Sequence, residues 1–492
     1  MGTHIRIQVV VVAGDGSEHL VEIAKLDRDD PTAASLGLTL AEGKQVVASL
    51  QAILVTRQVA GYLAQQRACP HCGRNRPLQA AGTSAYRTLF GTVAVPNPRR
   101  RACDCRPHDQ RTIRPLSVLL PERTSPELRY LETRWAADAS YDRATMHLHD
   151  AFPLDERYSA VTVRNHTLQA ARRAEQRLGP EQVMFIEGCQ AQWDDLPIPD
   201  GPLAVGLDGG IVRARRGSTN GKQGYLFQVI AGKSVLSFRR DDPEDVPSSS
   251  KYYASVGQFD TKPKRRLFDL LSAQGMQANQ QVTFFTDGGN TIQEVAEYLH
   301  PHAEHILDWF HLTMRLTVLR QCACGLAKEK AHPDDERTLE RRIESVKHYL
   351  WHGNVAEALN GLDWLEEDLD CWGCDDEGRK RRQLDSDKAA QMRKYVQELA
   401  TYVKNNTPTI VNYGERYRCG ERISTGFVES TINHLISRRM VKKQQMQWTP
   451  EGAHLLLQVR TQVLNDDWEA TFRSWYPGFR PTITAHATRA AA

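Results

Sequence analysis

The sequence predicts a multidomain α/β protein in which a central domain, built on a mixed β-sheet, is interrupted by an α-helical insertion. Three observations lead to this prediction. Strand-like segments are frequent between residues 203 and 308, charged helical sequence fills most of residues 312–424, and four cysteines form two close pairs between residues 69 and 105. A chain of 492 residues is long enough for about three domains.

Composition and charge are those of an ordinary globular protein. Hydrophobic residues make up 40% of the chain and charged residues 25%, and a net charge of +3 says little about partners. No apolar run approaches the roughly 20 residues of a membrane span, and the N-terminus lacks the pattern of a cleavable signal. We therefore expect a cytoplasmic protein.

The first 123 residues are predicted to contain two small units. Residues 1–66 fit a β unit followed by an amphipathic helix over 39–66, and residues 67–123 fit a zinc-ribbon-like element. Its candidate ligands come from "CPHCG" and "CDC", with 30 residues between the pairs: Cys69, Cys72, Cys103 and Cys105. Because tetrahedral zinc takes four thiolates, two from each tight turn, we predict one structural Zn²⁺.

Two alternatives to this zinc site stay open. The CxC spacing is less usual than CxxC, so His71 or His108 could replace one thiolate, and the four cysteines could also be unrelated. Two further close pairs lie in a charged helical region: Cys322 with Cys324, and Cys371 with Cys374. We expect these to be buried or incidental thiols rather than a second metal site.

Basic residues concentrate in two places. Seven arginines fall between residues 99 and 123, beginning with the run Arg99, Arg100 and Arg101, against only three acidic residues. A second cluster, "RRMVKK", supplies Arg438, Arg439, Lys442 and Lys443. Such clusters are candidate contacts for DNA phosphates, although a solvated basic face gives the same pattern.

Residues 124–196 are predicted to be helical. A short helix, a turn through Pro153 and a longer helix carrying Arg164 and Arg172 would suit a helix-turn-helix whose last helix enters the DNA major groove. Asn165, His166 and Arg173 lie on the same helix. A plain helical linker explains these residues equally well. "PIPDGP", at 197–202, indicates a domain boundary.

In the strand-rich block, residues 203–311, an apolar strand that leads directly into Asp-Gly-Gly occurs twice. "LAVGLD", "IVRARR" and "GYLFQVIAG" are predicted as three successive strands, and a helix, the strand "VTFFTD", another helix and the strand "EHILD" follow. This is the element order of an RNase H-like domain, in which the first and fourth strands are neighbours. Asp208 and Asp287 would then lie together, although Asp208 could instead begin a hairpin turn and Asp287 could cap a helix.

A third carboxylate is predicted near the end of the chain. After the α-helical insertion at 312–424, residues 425–492 would supply the second part of the RNase H-like core and the C-terminal helices. Glu429 falls in the first turn of a helix whose apolar stripe includes Val428, Leu435 and Ile436. It would complete a set of three acids with Asp208 and Asp287, although a charge flanking a helix is the ordinary explanation.

The motifs "LDGG", "TDGG", "ILDWFH" and "GFVEST…RRM…MQW" together resemble those of a known family. The chain is similar, from "CPHCG" to "GAHLLL", to the RNase H-like DDE transposases of bacterial insertion sequences, of the Kra-type (ISKra) family, which is related to the Mutator-like group. The resemblance implies that Asp208, Asp287 and Glu429 form the catalytic triad. It also implies a helical insertion between the second and third acids, and it places Asp308 and His311 near the active centre.

The chemistry expected from this resemblance is cleavage of DNA strands and joining of the freed 3′-hydroxyl to target DNA. Three carboxylates suit two Mg²⁺ (or Mn²⁺) ions per active site, with Asp208 bridging both. Expected partners are double-stranded DNA, both terminal inverted repeats and target DNA, and further copies of the chain in a homodimer or higher oligomer. The bacterial nucleoid is the expected location.

Two other functions are compatible with the sequence. An RNase H-like DNA nuclease or resolvase would use the same acids without strand transfer. A catalytically silent, zinc-containing DNA-binding regulator would need only the cysteine element and the helix-turn-helix. Trp448 could stack on an unpaired base, but a tryptophan in the core is the expected role.

Overall fold

The fold is taken from a computed structural model of the chain. It describes the following residues: 3–12, 16–28, 32–33, 36–105, 112–199, 202–215, 226–236, 250–288, 299–300, 303–326, 339–372, 383–426, 428, 431, 433–441 and 447–480. These residues form two compact units, the first comprising Met1–Ala171 with Asp467–Ala492 and the second Arg172–Asp466. The division falls at residues 171 and 172, whereas the sequence predicts a boundary at 197–202.

The strands are β1 (Thr3–Val12), β2 (Glu18–Arg28), β3 (Leu78–Ala80), β4 (Thr83–Thr88), β5 (Gly91–Pro96), β6 (Arg99–Arg101), β7 (Thr112–Ile113), β8 (Leu203–Arg213), β9 (Leu226–Val235), β10 (Lys251–Ser255), β11 (Val282–Thr286) and β12 (Ala303–Leu307). The α-helices are α1 (Leu40–Gln65), α2 (Leu116–Leu119), α3 (Pro126–Asp138), α4 (Tyr141–Ala151), α5 (Ala160–Glu175), α6 (Gln190–Asp194), α7 (Pro263–Ala273), α8 (Trp309–Leu326), α9 (Leu339–Trp351), α10 (Val355–Trp372), α11 (Gln383–Asn405), α12 (Tyr413–Arg418), α13 (Pro450–Leu464) and α14 (Trp468–Trp475). A 3₁₀ turn covers Thr407–Thr409 and a π-helix covers Asn433–Val441.

The first unit begins with the predicted β unit and helix. Strands β1 and β2 form an antiparallel pair, and Thr39 caps α1 in a reciprocal capping box with Glu42. Val55, Val59 and Leu63 of α1 are buried in a small core with residues of β5. The predicted β unit and helix are therefore confirmed as elements.

Helix α1 is long and apolar enough, by length and composition alone, to cross a membrane. Only 17% of its most apolar 18-residue stretch is buried. This differs from the expectation that no segment approaches a membrane span. Core helices of soluble proteins and signal sequences share these properties, so α1 by itself assigns no compartment.

Helices α3, α4 and α5 confirm that residues after 124 are helical. Ser125 and Ser140 each accept a hydrogen bond from the first turn of the helix they precede, at 3.3 Å, which stops the chain from running as one continuous helix. The turn between α4 and α5 covers residues 152–159 and contains Pro153, as predicted.

The second unit is built on a five-stranded mixed sheet in the order β10-β9-β8-β11-β12. Strands β8, β9 and β10 are antiparallel neighbours, whereas β11 pairs parallel with both β8 and β12. The prediction that the first and fourth strands are neighbours is confirmed. All five residues of β11 are buried, as a central strand covered on both faces requires.

The predicted segmentation of the first strands is wrong. "LAVGLD" and the start of "IVRARR" form one strand, β8, in which Asp208 pairs with Ala231 and Gly209 with Ile230, so there is no turn at Asp208. Gly209 permits a turn but also fits an extended strand, and the continuous ladder with β9 outweighs the local turn preference. The third strand is β10, "KYYAS", which the sequence analysis did not identify.

The two faces of this sheet bury different residues. Phe284 faces a cluster with Leu267 and Leu271 of α7, whereas its neighbour Phe285 joins a larger cluster that continues through α8, α9, α10 and α11. The predicted helical insertion is therefore observed as helices that share a core with β11 and β12. Arg266 of α7 adds a partly buried ion-pair network, binding Glu175 at 2.7 Å and Asp260 at 3.0 Å.

Candidate functional site

Three aspartates lie at equivalent positions on three adjacent strands. The last paired residues of β8 and β11 are Gly206 and Phe285, and Asp208 and Asp287 each follow two residues later. Asp308 follows the end of β12 directly, at the level of Asp287 in the β11–β12 register. Since parallel strands keep this register, the sheet alone brings the three aspartates to the same level, at the C-terminal ends of β11 and β12.

The electrostatics of Asp208 reflect this grouping. Burial raises the pKa of Asp208, and the negative charges of Asp287 and Asp308 raise it further. A hydrogen bond from the Gly209 amide, 2.6 Å from Asp208 Oδ1, and the nearby His311 act in the opposite direction. Asp208 and Asp287 are half-buried, so their oxygens can still reach a ligand.

Asp308 has a different environment because its side chain is completely buried. Its Oδ1 accepts hydrogen bonds from the backbone amides of Phe310, at 2.8 Å, and Thr425, at 3.1 Å. Its Oδ2 accepts from the Thr425 hydroxyl and from His311 Nδ1, the latter at 2.9 Å. Both oxygens are occupied by donors, so Asp308 acts as an anchor for neighbouring residues rather than as a free ligand.

His311 is bonded to the anchor Asp308 and is close enough to the half-buried Asp208 and Asp287 to feel their charges. Its hydrogen bond to Asp308 raises its pKa, and the charges of Asp308, Asp208 and Asp287 add to this effect against the opposing effect of burial. The side chain retains 22% exposure. Because Nδ1 is held by Asp308, the imidazole presents Nε2 to the surroundings.

Several supporting residues were not identified from the sequence. The Tyr402 hydroxyl donates to the backbone oxygen of Asp287 at 2.7 Å, and the fully buried Tyr413 donates to the backbone oxygen of Leu307 at 2.8 Å. Thr425, which donates to Asp308, stands only four residues before Glu429. Its position in "STGFVES", beside a quoted motif, is the one signal that could have found it.

Gly288 allows a close approach of the helical insertion to the candidate centre. Its φ is +80°, and a Cβ built there would lie 2.4 Å from Oδ1 of Asn406. A Cβ at Gly209 would lie 2.7 Å from the side-chain nitrogen of Gln228. Protein groups therefore occupy the space beside both glycines, and a side chain at either position would collide with them.

Glu429, the predicted third acid, lies outside the described residues, as do Lys442 and Lys443. The residues around it fit the predicted apolar stripe, since Val428, Leu435 and Ile436 are buried. The helix that follows is a π-helix, Asn433–Val441, a form often found at functional sites.

The four predicted zinc ligands lie together in the first unit. Their sulfur atoms all fall within 4.8 Å of one another, with 3.7 Å between Cys69 and Cys105 and 3.2 Å between Cys72 and Cys103. Tetrahedral zinc with bonds of about 2.3 Å separates its sulfur ligands by about 3.8 Å. The cluster could therefore hold a metal such as zinc, and within the described part of the chain it is the only such group of three or more candidate ligands.

Local backbone geometry forms the first cysteine turn. The Gly73 amide donates to the oxygen of Cys69 at 2.9 Å, and Gly73 has a φ of +69°. Backbone amides of Cys72 and His71 lower the pKa of Cys69 to about 6, which favours the thiolate that binds metals. The contact with Cys103 is the main cause that raises the pKa of Cys105 to about 12, because crowded sulfurs without a shared cation resist ionisation.

Of the residues considered as substitute ligands, His71 does not belong to the cluster and His108 lies outside the described residues. Cys322 is half-buried, and Cys324 is exposed with its sulfur 3.0 Å from Glu340. Cys371 and Cys374 lie where side chains are not described.

The predicted DNA-contacting arginines have varied surroundings. Arg99 and Arg101 are exposed on β6, whereas Arg100 donates to the backbone oxygen of Arg76 at 2.8 Å. Arg164 is exposed on α5. On the same helix, His166 contacts the buried Glu132 at 2.7 Å, which makes it a packing residue.

The arginines of the second unit differ more sharply from the prediction. Arg172 forms an ion pair with Glu451 at 2.7 Å, with both side chains about half exposed. Arg438 is exposed, but Arg439 is fully buried and its guanidinium lies 5.3 Å from the Trp448 ring centroid. The prediction that Arg439 grips DNA phosphates is therefore wrong, and Trp448 is a core residue as expected.

Comparison with known proteins adds no relative, because no protein-family model and no curated protein matches the chain.

Proposed function

We propose that the chain is a DDE-type DNA transposase that cleaves DNA strands and joins a 3′-hydroxyl to target DNA. The proposal depends mainly on one observation, the β8–β11 register. This register brings Asp208 and Asp287 to the same level on adjacent parallel strands. The strand order β10-β9-β8-β11-β12, with β9 alone antiparallel to its two neighbours, supports an RNase H-like core.

The two half-buried acids, Asp208 and Asp287, suit divalent cations by their chemistry. Carboxylate oxygens are the ligands that Mg²⁺ prefers, and both side chains are half-buried rather than sealed. Repulsion from Asp287 and Asp308 contributes to the raised pKa of Asp208, and a shared cation would remove that repulsion. We assign Asp208, Asp287 and Glu429 as the residues that would hold two Mg²⁺ or Mn²⁺ ions.

Such ions, when bound, would activate the attacking oxygen and stabilise charge on the phosphate and leaving group. The protein's own contribution is positioning. Asp308 fixes His311 through Nδ1 and holds the Thr425 segment that leads to Glu429. A doubly protonated His311, favoured by its raised pKa, would offer Nε2–H as a donor to a phosphate oxygen of the substrate.

The two other regions would contribute DNA contacts. The cysteine cluster would hold one structural Zn²⁺, which orders the turns beside Arg99 and Arg101. These exposed arginines, with Arg164 and Arg438, are the residues we propose to contact phosphates. Terminal inverted repeats and target DNA would be the substrates, bound by two or more copies of the chain in the bacterial cytoplasm.

A strand-joining assay tests the proposal. Labelled duplexes taken from both flanks of the coding gene, with a pre-cut 3′-hydroxyl end, are incubated with the protein, Mg²⁺ and target plasmid. We expect joined product from the wild type and none from Asp208→Asn, Asp287→Asn or Glu429→Gln. Asp269→Asn, which changes a half-buried acid on α7 away from the candidate centre, serves as the matched control and should remain active.

Cleavage without joining would favour the nuclease or resolvase. Neither reaction, with DNA binding intact, would favour the regulator.

A further inference from the structure

A cavity of about 500 Å³ adjoins the candidate centre in the second unit. Its wall includes Gly288, the residue after Asp287, together with Tyr402 near the end of α11 and Asn406, which follows the helix. The Tyr402 hydroxyl donates to the backbone oxygen of Asp287 at 2.7 Å. A ligand in this cavity would therefore lie next to the segment that carries Asp287.

The lining combines a flat platform with positive charge. The guanidinium of Arg315, on α8, lies 4.1 Å from the centroid of the Tyr402 ring, which places it over the ring as a cation–π pair. Lys394 on α11 is 73% exposed and reaches Glu398 only at 3.9 Å, so its ammonium can serve an outside anion. Planar stacking together with two cations suits a ligand that has both an aromatic ring and a phosphate.

Amide side chains supply hydrogen-bonding groups at the same place. Asn405 lines the cavity and is exposed, whereas Asn406 is 3% exposed and donates through Nδ2 to the Tyr402 backbone oxygen at 2.8 Å. Amides carry donors and acceptors that match the edges of nucleobases. A volume of about 500 Å³ suits a single small ligand and is too small for a DNA duplex.

We propose that this cavity takes one unpaired nucleotide of the DNA strand, next to the phosphodiester cut at Asp208 and Asp287. The base stacks on the Arg315–Tyr402 platform and meets the exposed Asn405 amide, while Lys394 contacts the adjoining phosphate. The inference deepens the proposed function and rests on it for the identity of the strand. An acidic peptide is the competing ligand, since it would also bind the cations but would not need the platform.

Binding of a short oligonucleotide tests this proposal without any cleavage. The full chain carrying Asp208→Asn is titrated into fluorescein-labelled dT4, which is too short to span distant sites, and anisotropy gives the dissociation constant. We expect Arg315→Ala and Tyr402→Leu to weaken binding about five- to tenfold, in line with the loss of one stacked base. Tyr402→Phe keeps the ring and should bind within about twofold of the parent.

Arg320→Ala is the matched control, because Arg320 is also an exposed arginine on α8 but does not line the cavity. If Arg315→Ala and Arg320→Ala weakened dT4 binding equally, the loss would come from general positive charge rather than from the cavity, and the proposal would be overturned. The proposal would also be overturned if an acidic peptide such as hexaglutamate displaced dT4 and bound Tyr402→Leu with the same affinity as the parent protein.

A cross-linking measurement covers the case in which Tyr402→Leu fails to fold. In the folded Asp208→Asn parent, dT4 containing one 4-thiothymidine should cross-link, on irradiation, to peptides from α8 or α11. Cross-links confined to the first unit would overturn the proposal. Specific dT4 binding at this cavity by a wild-type protein that neither cuts nor joins DNA would instead contradict the proposed function and leave the binding site standing.

Discussion

Replacing Asp308 tests the buried anchor of the candidate site. In Asp308→Ala, the amides of Phe310 and Thr425, the Thr425 hydroxyl and His311 Nδ1 all lose their acceptor in a fully buried place. A buried donor left unsatisfied costs about 1–3 kcal/mol, and water entering the space recovers part of that loss. We expect the free energy of unfolding of the second unit to fall by about 3–5 kcal/mol.

The conservative variant Asp308→Asn should behave differently. Its amide oxygen can accept from the two backbone amides, while its NH₂ group donates to the Thr425 hydroxyl and to Nδ1 of a neutral His311. Only the negative charge that strengthens these hydrogen bonds is lost, so we expect the free energy of unfolding to decrease by about 1–2 kcal/mol. The same variant should lower the pKa of His311, because the hydrogen bond to Asp308 is the main cause of its raised pKa.

Urea unfolding followed by tryptophan fluorescence measures the stabilities, and NMR titration of His311 measures its pKa. Asp269→Ala, at a partly exposed ion pair with Arg265 on α7, is the matched control and should change stability by less than about 1 kcal/mol. An Asp308→Ala variant as stable as this control would refute the role of Asp308 as an anchor. An unchanged His311 pKa in Asp308→Asn would refute the electrostatic part of the reasoning.

Three further predictions concern other residues. Metal analysis should find about one zinc per chain in wild type and in the control Cys324→Ser but none in Cys72→Ser. Zinc retained by Cys72→Ser would contradict a zinc site formed by the four cysteines. The raised pKa of His311 means that its protonation stabilises the fold fully below its ordinary pKa of about 6.5 and ceases to do so as pH rises through the higher folded-state pKa. The stability gap between wild type and His311→Gln should therefore shrink as pH rises above about 6.5; a constant gap contradicts this. Gly288→Ala should lower the free energy of unfolding by about 1–3 kcal/mol, because Gly288 has a positive φ and the new Cβ would collide with Asn406. Adding Asn406→Gly to the same chain should restore part of this stability. Wild-type stability in Gly288→Ala would show that Asn406 does not approach Gly288 closely.

The sequence predicted the central strands well and the first strand poorly. The apolar run of β11 has five buried residues, a pattern that needs no knowledge of its neighbours. Asp208-Gly209 has the local composition of a turn, but pairing with Ala231 and Ile230 of β9 keeps β8 extended. Local propensity could not reveal this, because the decisive hydrogen bonds come from residues more than 20 positions away.

The candidate site was predicted in part for a similar reason. Register across the sheet brings Asp208 and Asp287 together, and element order carries that information. The residues that support them, such as Tyr402 and Thr425, come from segments more than 100 positions along the chain and follow no periodic pattern. A basic run likewise does not tell which arginine faces inward, and Arg439 is buried while Arg438 is exposed.

Binding of Mn²⁺ to the DNA-free protein tests the central claim most directly, that Asp208 and Asp287 hold the same ions. Mn²⁺ can replace Mg²⁺ at carboxylate sites, and electron paramagnetic resonance distinguishes free from bound Mn²⁺. We predict saturable binding in wild type and in the control Asp269→Asn, with affinity reduced at least about tenfold in both Asp208→Asn and Asp287→Asn, and no further loss in the double variant. Wild-type Mn²⁺ affinity in either single variant would contradict the shared metal centre.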